Sequence, residues 1–230
     1  VPQGQRQLKP LASPYLAPGF YAQAIAKGRH RAIVGGRWEE TARLQMAALA
    51  QQGLTPDDHL LDIGCGALRL GHLAVPFLRP GHYWGTDASR ELMLHARTAE
   101  LADPDRLPPD HLVGDADFTF PGVPGSITLA IAFAVFTHLP PPIPAQALHS
   151  LRARFPRLRA VLFTVFHAAL GAAATRQPDG VVTHPDRPPY HVTEADTEAM
   201  IRAAGFTPAR QPAILPRGQV LWAATPPHMP

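Results

Sequence analysis

Short apolar runs alternate with longer amphipathic stretches along most of this chain, from about residue 58 onward. The apolar runs predict strands, and the stretches between them predict helices. Such alternation is typical of a parallel sheet that is covered by helices on both faces. The predicted strands are 59–63, 82–86, 110–114, 127–133, 158–166, 206–211 and 218–224, and the predicted helices between them are 67–78, 89–101, 143–155 and 193–204.

The two ends of this pattern differ from its middle. The last two strands are joined by a short Pro-rich connection. A connection of that length suits a hairpin, so we expect an antiparallel pair at the edge of the sheet. Ahead of the first strand, the segments 18–26 and 37–52 predict two further helices. We therefore expect an N-terminal extension over 1–57 that covers a pocket, and a main domain over 58–230.

Composition narrows the class of protein. The formal net charge is +3, but the basic residues are scattered and do not by themselves indicate nucleic-acid binding. The chain has no run of about 18 uncharged apolar residues, and its start is polar, so we expect neither a membrane span nor a signal peptide. Cys65 is the only cysteine, which excludes an internal disulfide and is consistent with a reducing cytoplasm. We expect a cytoplasmic protein.

The segment from Leu60 to Arg69 carries the strongest chemical signal. It predicts a strand, a glycine turn and the start of a helix. Gly64 and Gly66 lack a Cβ, so the backbone can pass close to a ligand there. A second predicted strand also ends on a carboxylate, Asp87. Two acidic strand ends beside a glycine turn predict a nucleoside site, with Asp87 placed to accept hydrogen bonds from the ribose hydroxyls.

The same segment departs from the dinucleotide fingerprint G-x-G-x-x-G. Its sixth position is Arg69 instead of glycine. Asp62 stands just before the turn, where a carboxylate would repel a pyrophosphate but would suit an ammonium group. S-adenosylmethionine carries an ammonium group and a sulfonium centre and has no phosphate. On charge, the motif therefore favours S-adenosylmethionine over NAD.

Four segments in this order resemble the motifs of the class I S-adenosylmethionine-dependent methyltransferases, over about residues 58–224. Asp62 to Gly66 resembles the first motif, and Tyr83 to Asp87 resembles the acidic second-strand motif. His111 to Phe118 resembles the adenine-binding third motif, and 127–139 resembles the fourth strand with the helix after it. The resemblance implies an α/β fold: a Rossmann-like, doubly wound, mostly parallel seven-stranded sheet with an antiparallel C-terminal edge hairpin and an N-terminal helical extension.

The resemblance also implies which residues hold the cofactor, S-adenosylmethionine. Asp62 would contact its ammonium group, and Asp115 would accept a hydrogen bond from the adenine amino group. Ala116 would supply a backbone N–H and an apolar contact to the ring. The alternative for Asp115 is a simple turn residue, because Gly-Asp favours a turn. The full set expected at the cofactor is Asp62, Gly64, Cys65, Gly66, Arg69, Asp87, Ala88, Asp115, Ala116, Phe133 and Trp38.

Three positions carry an alternative or a departure. Leu68 stands where the family has a small residue, which would narrow the turn and shift the cofactor's methionine tail. Arg69 would reach the cofactor carboxylate or a substrate anion, or it is a solvated arginine in the first turn of the helix. Trp38 would close the pocket, or it packs a helix on the sheet.

Methyl transfer requires a nucleophile held in line with the methyl group, and a hydroxyl or thiol acceptor also needs a base, for which neutral histidine is suited. His138 follows the fourth strand. Tyr190 and His191 end the long Pro-rich segment 168–192, whose length indicates a lid or a binding loop. We expect the catalytic residues among His191, His138 and Tyr190. A structural role is the alternative for each, and cofactor contact is a further alternative for His138.

The expected function is transfer of a methyl group from S-adenosylmethionine to a small-molecule acceptor by direct in-line displacement. A peptide or protein acceptor and a non-catalytic S-adenosylmethionine-binding protein are the alternatives. Phe133-Ala134 lacks the Asn or Asp, Pro-Pro and aromatic sequence of enzymes that methylate base amino groups of DNA, so no nucleic-acid partner is expected. His184, Asp186 and His191 match no strong ligand spacing, so we expect no metal. The oligomeric state stays open.

Overall fold

A mixed β-sheet forms the centre of the computed structural model, which describes residues 20–213 and 215–227. The strands are β1 (Leu60–Ile63), β2 (Tyr83–Asp87), β3 (Leu112–Gly114), β4 (Leu129–Ala132), β5 (Ala160–His167), β6 (Thr175–Arg176), β7 (Val182–Thr183), β8 (His191–Val192), β9 (Thr207–Arg210) and β10 (Val220–Thr225). The helices are α1 (Phe20–Ala26), α2 (His30–Ile33), α3 (Trp38–Gln51), α4 (Gly71–Phe77), α5 (Arg90–Glu100), α6 (Pro142–Arg154) and α7 (Glu194–Ala203).

The strand order confirms the predicted sheet. Seven strands follow the path β3-β2-β1-β4-β5-β10-β9, and each corresponds to a predicted strand. β1 to β5 pair in parallel, whereas β10 pairs antiparallel with both β5 and β9. The C-terminal hairpin therefore closes the sheet at one edge, as predicted. The two-residue β8 adds a parallel pairing at the end of β5.

Two hydrophobic cores lie on opposite faces of the sheet. Side chains alternate between faces along a strand, so Leu60 packs in the core under α3, α4 and α5, whereas Leu61 packs in the core under α6 and α7. Every residue of β1 and β4 is buried because helices cover both faces. The fold is therefore doubly wound.

The helix after the glycine turn begins later than predicted. Residues 67–70 form turns, and α4 begins at Gly71. Leu68 is fully buried, and its backbone is left-handed with φ 59°. A left-handed residue cannot continue an α-helix, and burial of the leucine side chain in the core holds it there. Arg69 is therefore not in the first turn of a helix.

The sequence pattern missed short elements on either side of the main domain. α2 lies between the two predicted N-terminal helices, and β6 to β8 lie inside the segment that was predicted as a loop. The predicted helix 18–26 is present from Phe20 onward, and positions 18 and 19 lie outside the described residues. The boundary predicted after residue 57 stays a prediction. Among the described residues, no helix combines the length and the apolar character that crossing a membrane requires.

Candidate active site

A cavity of about 270 Å³ lies at the carboxyl ends of β1, β2 and β4. This is the edge at which open α/β sheets bind their ligands. With the exception of Trp38, every residue predicted at the cofactor lines the cavity: Asp62, Gly64, Cys65, Gly66, Arg69, Asp87, Ala88, Asp115, Ala116 and Phe133. The structure thus brings the separate sequence motifs together around one space.

The glycine turn forms the floor of this cavity. Gly64 and Gly66 both have left-handed backbones, with φ 67° and 50°. A Cβ on Gly64 would lie 2.4 Å from Cγ2 of Val135, and one on Gly66 would lie 2.9 Å from Cγ1 of Val34. The N–H of Gly64 also donates to the Thr86 carbonyl at 2.7 Å, which fixes the turn on β2. Only glycine fits these two positions without a shift of the surrounding residues.

Asp87 closes β2 beside the turn. Its Oδ2 accepts a hydrogen bond from Gly66 N at 3.1 Å, and its Oδ1 accepts one from Ser89 N at 2.9 Å. Burial raises the pKa of this carboxyl, and the backbone N–H groups oppose that shift. Each carboxylate oxygen can accept a further hydrogen bond, so Asp87 keeps acceptor capacity for a ligand.

Asp62 is buried at the end of β1. Its Oδ2 accepts a hydrogen bond from the Tyr83 hydroxyl at 2.6 Å. Burial raises the pKa of Asp62 to about 7, and the hydrogen bond from Tyr83 opposes the shift. A cationic group bound in the cavity would favour the ionised form, because an opposite charge lowers the pKa of a carboxyl group.

Arg69 connects the glycine turn to the N-terminal segment. Its Nη1 donates to the carbonyls of Val34, at 3.0 Å, and Gly36, at 3.3 Å. The side chain is largely buried and lines the cavity, which favours the predicted ligand contact over a solvated arginine, and that contact stays a prediction.

Two buried polar atoms beside the cavity have no hydrogen-bond partner among the described residues: Nε of Arg69 and Oε1 of Gln45. Leaving a buried polar atom unpaired costs about 1–3 kcal/mol, so the site is suited to a ligand with its own polar groups. A carboxylate matches Arg69, and an ammonium group matches Asp62 and Gln45. The amino-acid end of S-adenosylmethionine carries both groups and fits this donor and acceptor set.

Asp115 organises the loop after β3. Its side chain accepts hydrogen bonds from the backbone N–H groups of Asp117 at 3.1 Å, Thr119 at 3.3 Å and Phe120 at 2.8 Å. The turn role is therefore present, and Asp115 also lines the cavity together with Ala116. Its contact with adenine stays a prediction.

Two residues predicted to affect the cofactor do not line the cavity. Leu68 packs in the core under α3, α4 and α5 and does not line the cavity, so it does not narrow the turn. The Trp38 ring stacks on His72 with 5.6 Å between ring centroids, and the Arg31 guanidinium lies 4.9 Å from it. Trp38 packs the N-terminal helices on α4, which is the packing role predicted as one alternative, and its contact with the cofactor stays a prediction.

The structure gives no support to the catalytic roles predicted for His191 and Tyr190. Neither residue lines the cavity. His191 is buried, with Nδ1 bonded to Thr183 Oγ1 at 2.9 Å and Nε2 to the Ala172 carbonyl at 3.1 Å. Tyr190 is buried as well, and its N–H donates to the Thr137 carbonyl at 2.7 Å. The His191 side chain therefore holds the segment 168–192 together internally, and the Tyr190 N–H connects it to Thr137, which follows β4.

His138 does line the cavity, as predicted. It ends a short 3₁₀ turn, Phe136–His138, that follows β4. Burial and the nearby Arg217 guanidinium lower the pKa of His138 below its ordinary value, so its imidazole is neutral at pH 7. Within the described ranges, no group of three or more histidine, cysteine or acidic side chains is arranged to hold a metal ion.

The remaining walls come from parts of the chain that the motifs do not cover. The N-terminal region contributes Tyr21, Val34, Gly35, Arg37, Thr41 and Gln45, and the connection before β10 contributes Pro216, Arg217 and Gln219. One signal was available for α3: Thr41 and Gln45 stand at i and i+4 with the buried Leu49, which places two polar residues on a buried face. The connection before β10 offered no comparable signal.

Comparisons with known proteins agree with this geometry. A family model described as a methyltransferase domain matches residues 61–155. Magnesium protoporphyrin IX methyltransferase from Synechocystis, solved with bound S-adenosylmethionine, has a TM-score of 0.63 at 17% identity, covering 90% of this chain and 93% of that one. The 1,6-didemethyltoxoflavin-N1-methyltransferase of Burkholderia thailandensis, solved with 1,6-didemethyltoxoflavin and S-adenosylhomocysteine, has a TM-score of 0.61 at 16% identity, covering 95% and 92%. At these identities the similarity to solved structures shows the fold.

Proposed function

We propose that the chain is a class I S-adenosylmethionine-dependent methyltransferase, since a methyltransferase-domain model matches residues 61–155, and that it transfers the methyl group to a small-molecule acceptor by direct in-line displacement. The observation that carries this proposal is the cavity itself. It lies between the glycine turn and the N-terminal segment, and its walls hold the buried carboxylate of Asp62 together with the partly buried side chains of Asp87 and Arg69. S-adenosylmethionine supplies an activated methyl group on a sulfonium sulfur.

Each wall has a proposed role in binding. Asp87, held by Gly66 N and Ser89 N, accepts hydrogen bonds from the ribose hydroxyls. Asp62 and Arg69 bind the ammonium and carboxylate groups of the methionine end. Asp115 accepts a hydrogen bond from the adenine amino group, and Ala116 contacts the adenine ring. Phe133 and Phe118 provide apolar surface on the same side.

The N-terminal segment covers the methionine end of the site. Val34 and Gly36 receive hydrogen bonds from Arg69, and Val34 packs over Gly66. A cover of this kind excludes water and holds the reacting groups in one geometry, which is the main requirement of methyl transfer.

His138 is the one predicted catalytic residue at the cavity. Its neutral imidazole is suited to accept a proton from a hydroxyl or thiol acceptor as the new bond to carbon forms. A contact with the cofactor is the other role that its position supports.

A small acceptor is supported by the size of the cavity, which is about 270 Å³. The names of two structural neighbours point the same way, since magnesium protoporphyrin IX and 1,6-didemethyltoxoflavin are small molecules. A peptide would need more room at the cavity, where Val34, Gly35 and Arg37 of the N-terminal segment occupy part of the wall.

The test is release of S-adenosylhomocysteine from S-adenosylmethionine by the purified protein, with pooled small metabolites in one arm and a peptide library in the other. We expect release above background only with the metabolites. His138→Ala should lower that turnover at least about tenfold if the acceptor is a hydroxyl or thiol. His149→Ala, an exposed position on α6, is the matched control. Turnover with peptides alone would replace the proposal, and tight binding without turnover in either arm would favour a non-catalytic binding protein.

A further inference from the structure

A second space adjoins the cofactor cavity. It is a groove of about 810 Å³, and it shares the wall residues Arg37, Pro216, Arg217 and Gln219 with the first cavity. A molecule bound in this groove would therefore contact these side chains on its way to the proposed site of methyl transfer. The chemistry of this shared wall consequently bears on which acceptor can enter.

Arg217 is held on this wall with unused hydrogen-bond donors. Its backbone is left-handed, with φ 64°, which a non-glycine residue adopts only when its surroundings enforce it. Its Nη2 donates to the Gly35 carbonyl at 3.2 Å. No carboxylate among the described residues forms an ion pair with it. A guanidinium has five N–H donors in a fork that matches a carboxylate, so most of the hydrogen-bond donors of Arg217 are available to a ligand.

Gln219 adds a second donor two residues away. The Thr164 hydroxyl accepts from Ala134 N at 2.8 Å and donates to Gln219 Oε1 at 2.7 Å. This contact fixes the amide oxygen, and Nε2 makes no hydrogen bond within the described ranges. Arg217 and Gln219 thus offer N–H groups on one wall.

The other arginines near this wall already have partners. Arg37 lies 3.8 Å from Glu40, and Arg210 lies 2.9 Å from Glu194. Arg69 is tied to the N-terminal segment and is taken by the carboxylate of the methionine end in the proposed binding mode. Among the described residues that line the two spaces, Arg217 is therefore the arginine with neither an ion pair nor a proposed cofactor contact.

The acidic residues around this wall favour a ligand with a single negative charge. Asp62, Asp87 and Asp115 line the cofactor cavity, and Glu40 and Asp179 line the groove. A phosphate, which carries close to two charges at pH 7, would be repelled by these groups more strongly than a carboxylate. One arginine also balances a carboxylate fully and a phosphate only in part.

We propose that the acceptor carries a carboxylate group, and that Arg217 and Gln219 bind it at the wall between the groove and the cofactor cavity. This inference rests on the proposed function. Arg217 then determines which acceptors are used, and it does so by fixing the end of the molecule opposite the atom that is methylated.

The test uses calorimetric titration of the protein saturated with S-adenosylhomocysteine. The probes are benzoate, phenylacetate and hexanoate, each against its amide, together with phenyl phosphate. We expect at least one carboxylate to bind saturably, and its amide to bind at least about tenfold more weakly. Arg217→Gln should weaken the carboxylate at least about tenfold, as loss of a charged hydrogen bond does. Arg202→Gln, which removes an exposed arginine paired with Glu198, should change it less than about twofold.

A second variant keeps the proposal testable if Arg217→Gln does not fold. Gln219→Glu keeps an acceptor for the Thr164 hydroxyl and places a negative charge on the wall, so it should abolish carboxylate binding and favour benzylamine. In both variants, retained affinity for S-adenosylhomocysteine shows that the cofactor cavity is intact.

Several outcomes would overturn the proposal: no carboxylate binds, the amides bind equally well, phenyl phosphate binds best, or Arg217→Gln leaves the carboxylate unaffected. Loss of S-adenosylhomocysteine binding in Arg217→Gln alone would assign Arg217 to the cofactor and would also overturn it. If the wild-type protein does not bind S-adenosylhomocysteine, the proposed function fails. The same titrations without it then decide separately whether Arg217 holds a carboxylate.

Discussion

At the residue scale, Asp62 is a carboxylate buried beside a ligand cavity with a phenol as its hydrogen-bond partner. It is 2% exposed, and the Tyr83 hydroxyl lies 2.6 Å from its Oδ2. Burial disfavours the ionised form, which raises its pKa to about 7. Binding of a cation would relieve this penalty. The sequence showed only that Asp62 stands before the glycine turn. Its burial and its raised pKa add the physical reason why the site is suited to an ammonium group.

This raised pKa predicts a pH dependence of folding. Between the ordinary pKa of 3.8 and about 7, the folded state holds a proton that the unfolded state has lost. Stability contributed by Asp62 therefore falls as pH rises across this window. Relative to Asp62→Asn, we expect the wild-type protein without ligand to lose about 2 kcal/mol between pH 5 and pH 7.5, measured by urea unfolding.

Asp58→Asn is the control for this pH series. Burial raises the pKa of Asp58, but hydrogen bonds from Arg159, Thr55 and Thr128 outweigh that effect, so its net pKa is lowered. Its stabilising contribution is lost only as pH falls through that lowered pKa. The difference between Asp58→Asn and wild type should therefore stay constant from pH 5 to pH 7.5. An equally constant difference for Asp62→Asn would contradict the burial argument.

Gly64 gives a second prediction at this scale. Gly64→Ala would place a Cβ 2.4 Å from Val135, at a backbone with φ 67°. Gly122→Ala meets the same left-handed strain at φ 75°, but its Cβ would contact nothing within 4 Å. The strain costs about 1–2 kcal/mol at both positions, and overpacking adds about 1–3 kcal/mol at Gly64 alone. Urea unfolding measures both values, and equal losses would show that the turn accommodates the methyl group.

At the element scale, α2 is clamped to α5 by a partly buried ion pair. Glu100 Oε1 lies 2.6 Å from His30 Nε2 and 2.8 Å from Arg31 Nε, and its Oε2 lies 2.6 Å from Arg31 Nη2. The Glu100 side chain is 3% exposed, whereas that of Arg31 is 56% exposed. Because α2 leads directly into Val34 to Arg37, this clamp positions the segment that covers the cavity.

Removing the charge of Glu100 should lower the affinity for the ligand more than it lowers the free energy of unfolding. We expect Glu100→Gln to lower stability by about 1–2 kcal/mol, since one partner is half exposed to solvent. Amide hydrogen exchange over residues 30–37 should accelerate, and affinity for S-adenosylhomocysteine should fall by about tenfold. Glu198→Gln, which breaks an exposed pair with Arg202, should change stability by less than about 0.5 kcal/mol and leave exchange there unaltered. Unchanged exchange in Glu100→Gln would mean that other contacts hold the segment.

Strands and helices differed in how well the sequence predicted their limits. Buried parallel strands are continuous apolar runs, which makes them easy to locate in a sequence. Both ends of each predicted strand lie within two residues of the observed ends. The start of α4 was missed because tertiary burial of Leu68 holds a left-handed turn that no local pattern encodes. The segment 168–192 was predicted as a lid from its length, yet His191 and Thr183 fasten it internally through paired polar groups. Such pairing depends on three-dimensional contacts.

At the scale of the whole molecule, the site joins three parts of the chain that are far apart in sequence. The strand ends and the glycine turn were predictable, because a strand followed by a glycine turn and a carboxylate is a local pattern with a chemical reason. Arg217 and Gln219 were not predictable, because their position depends on how the C-terminal hairpin folds over the sheet, whereas the only signal for Gln45 was a pair of polar residues on the buried face of α3. The residues of the motifs are thus proposed to hold the cofactor, whereas Arg217 and Gln219 are proposed to bind the acceptor.

Calorimetric titration with S-adenosylhomocysteine, with NAD as the comparison ligand, tests the central claim most directly. We predict micromolar binding of S-adenosylhomocysteine to the wild-type protein and no binding of NAD. Asp87→Ala should abolish that binding, because it removes the acceptor held by Gly66 N and Ser89 N. Asp117→Ala, an exposed position in the neighbouring loop that does not line the cavity, should leave it intact. Binding of NAD, or undiminished binding of S-adenosylhomocysteine by Asp87→Ala, would contradict the account.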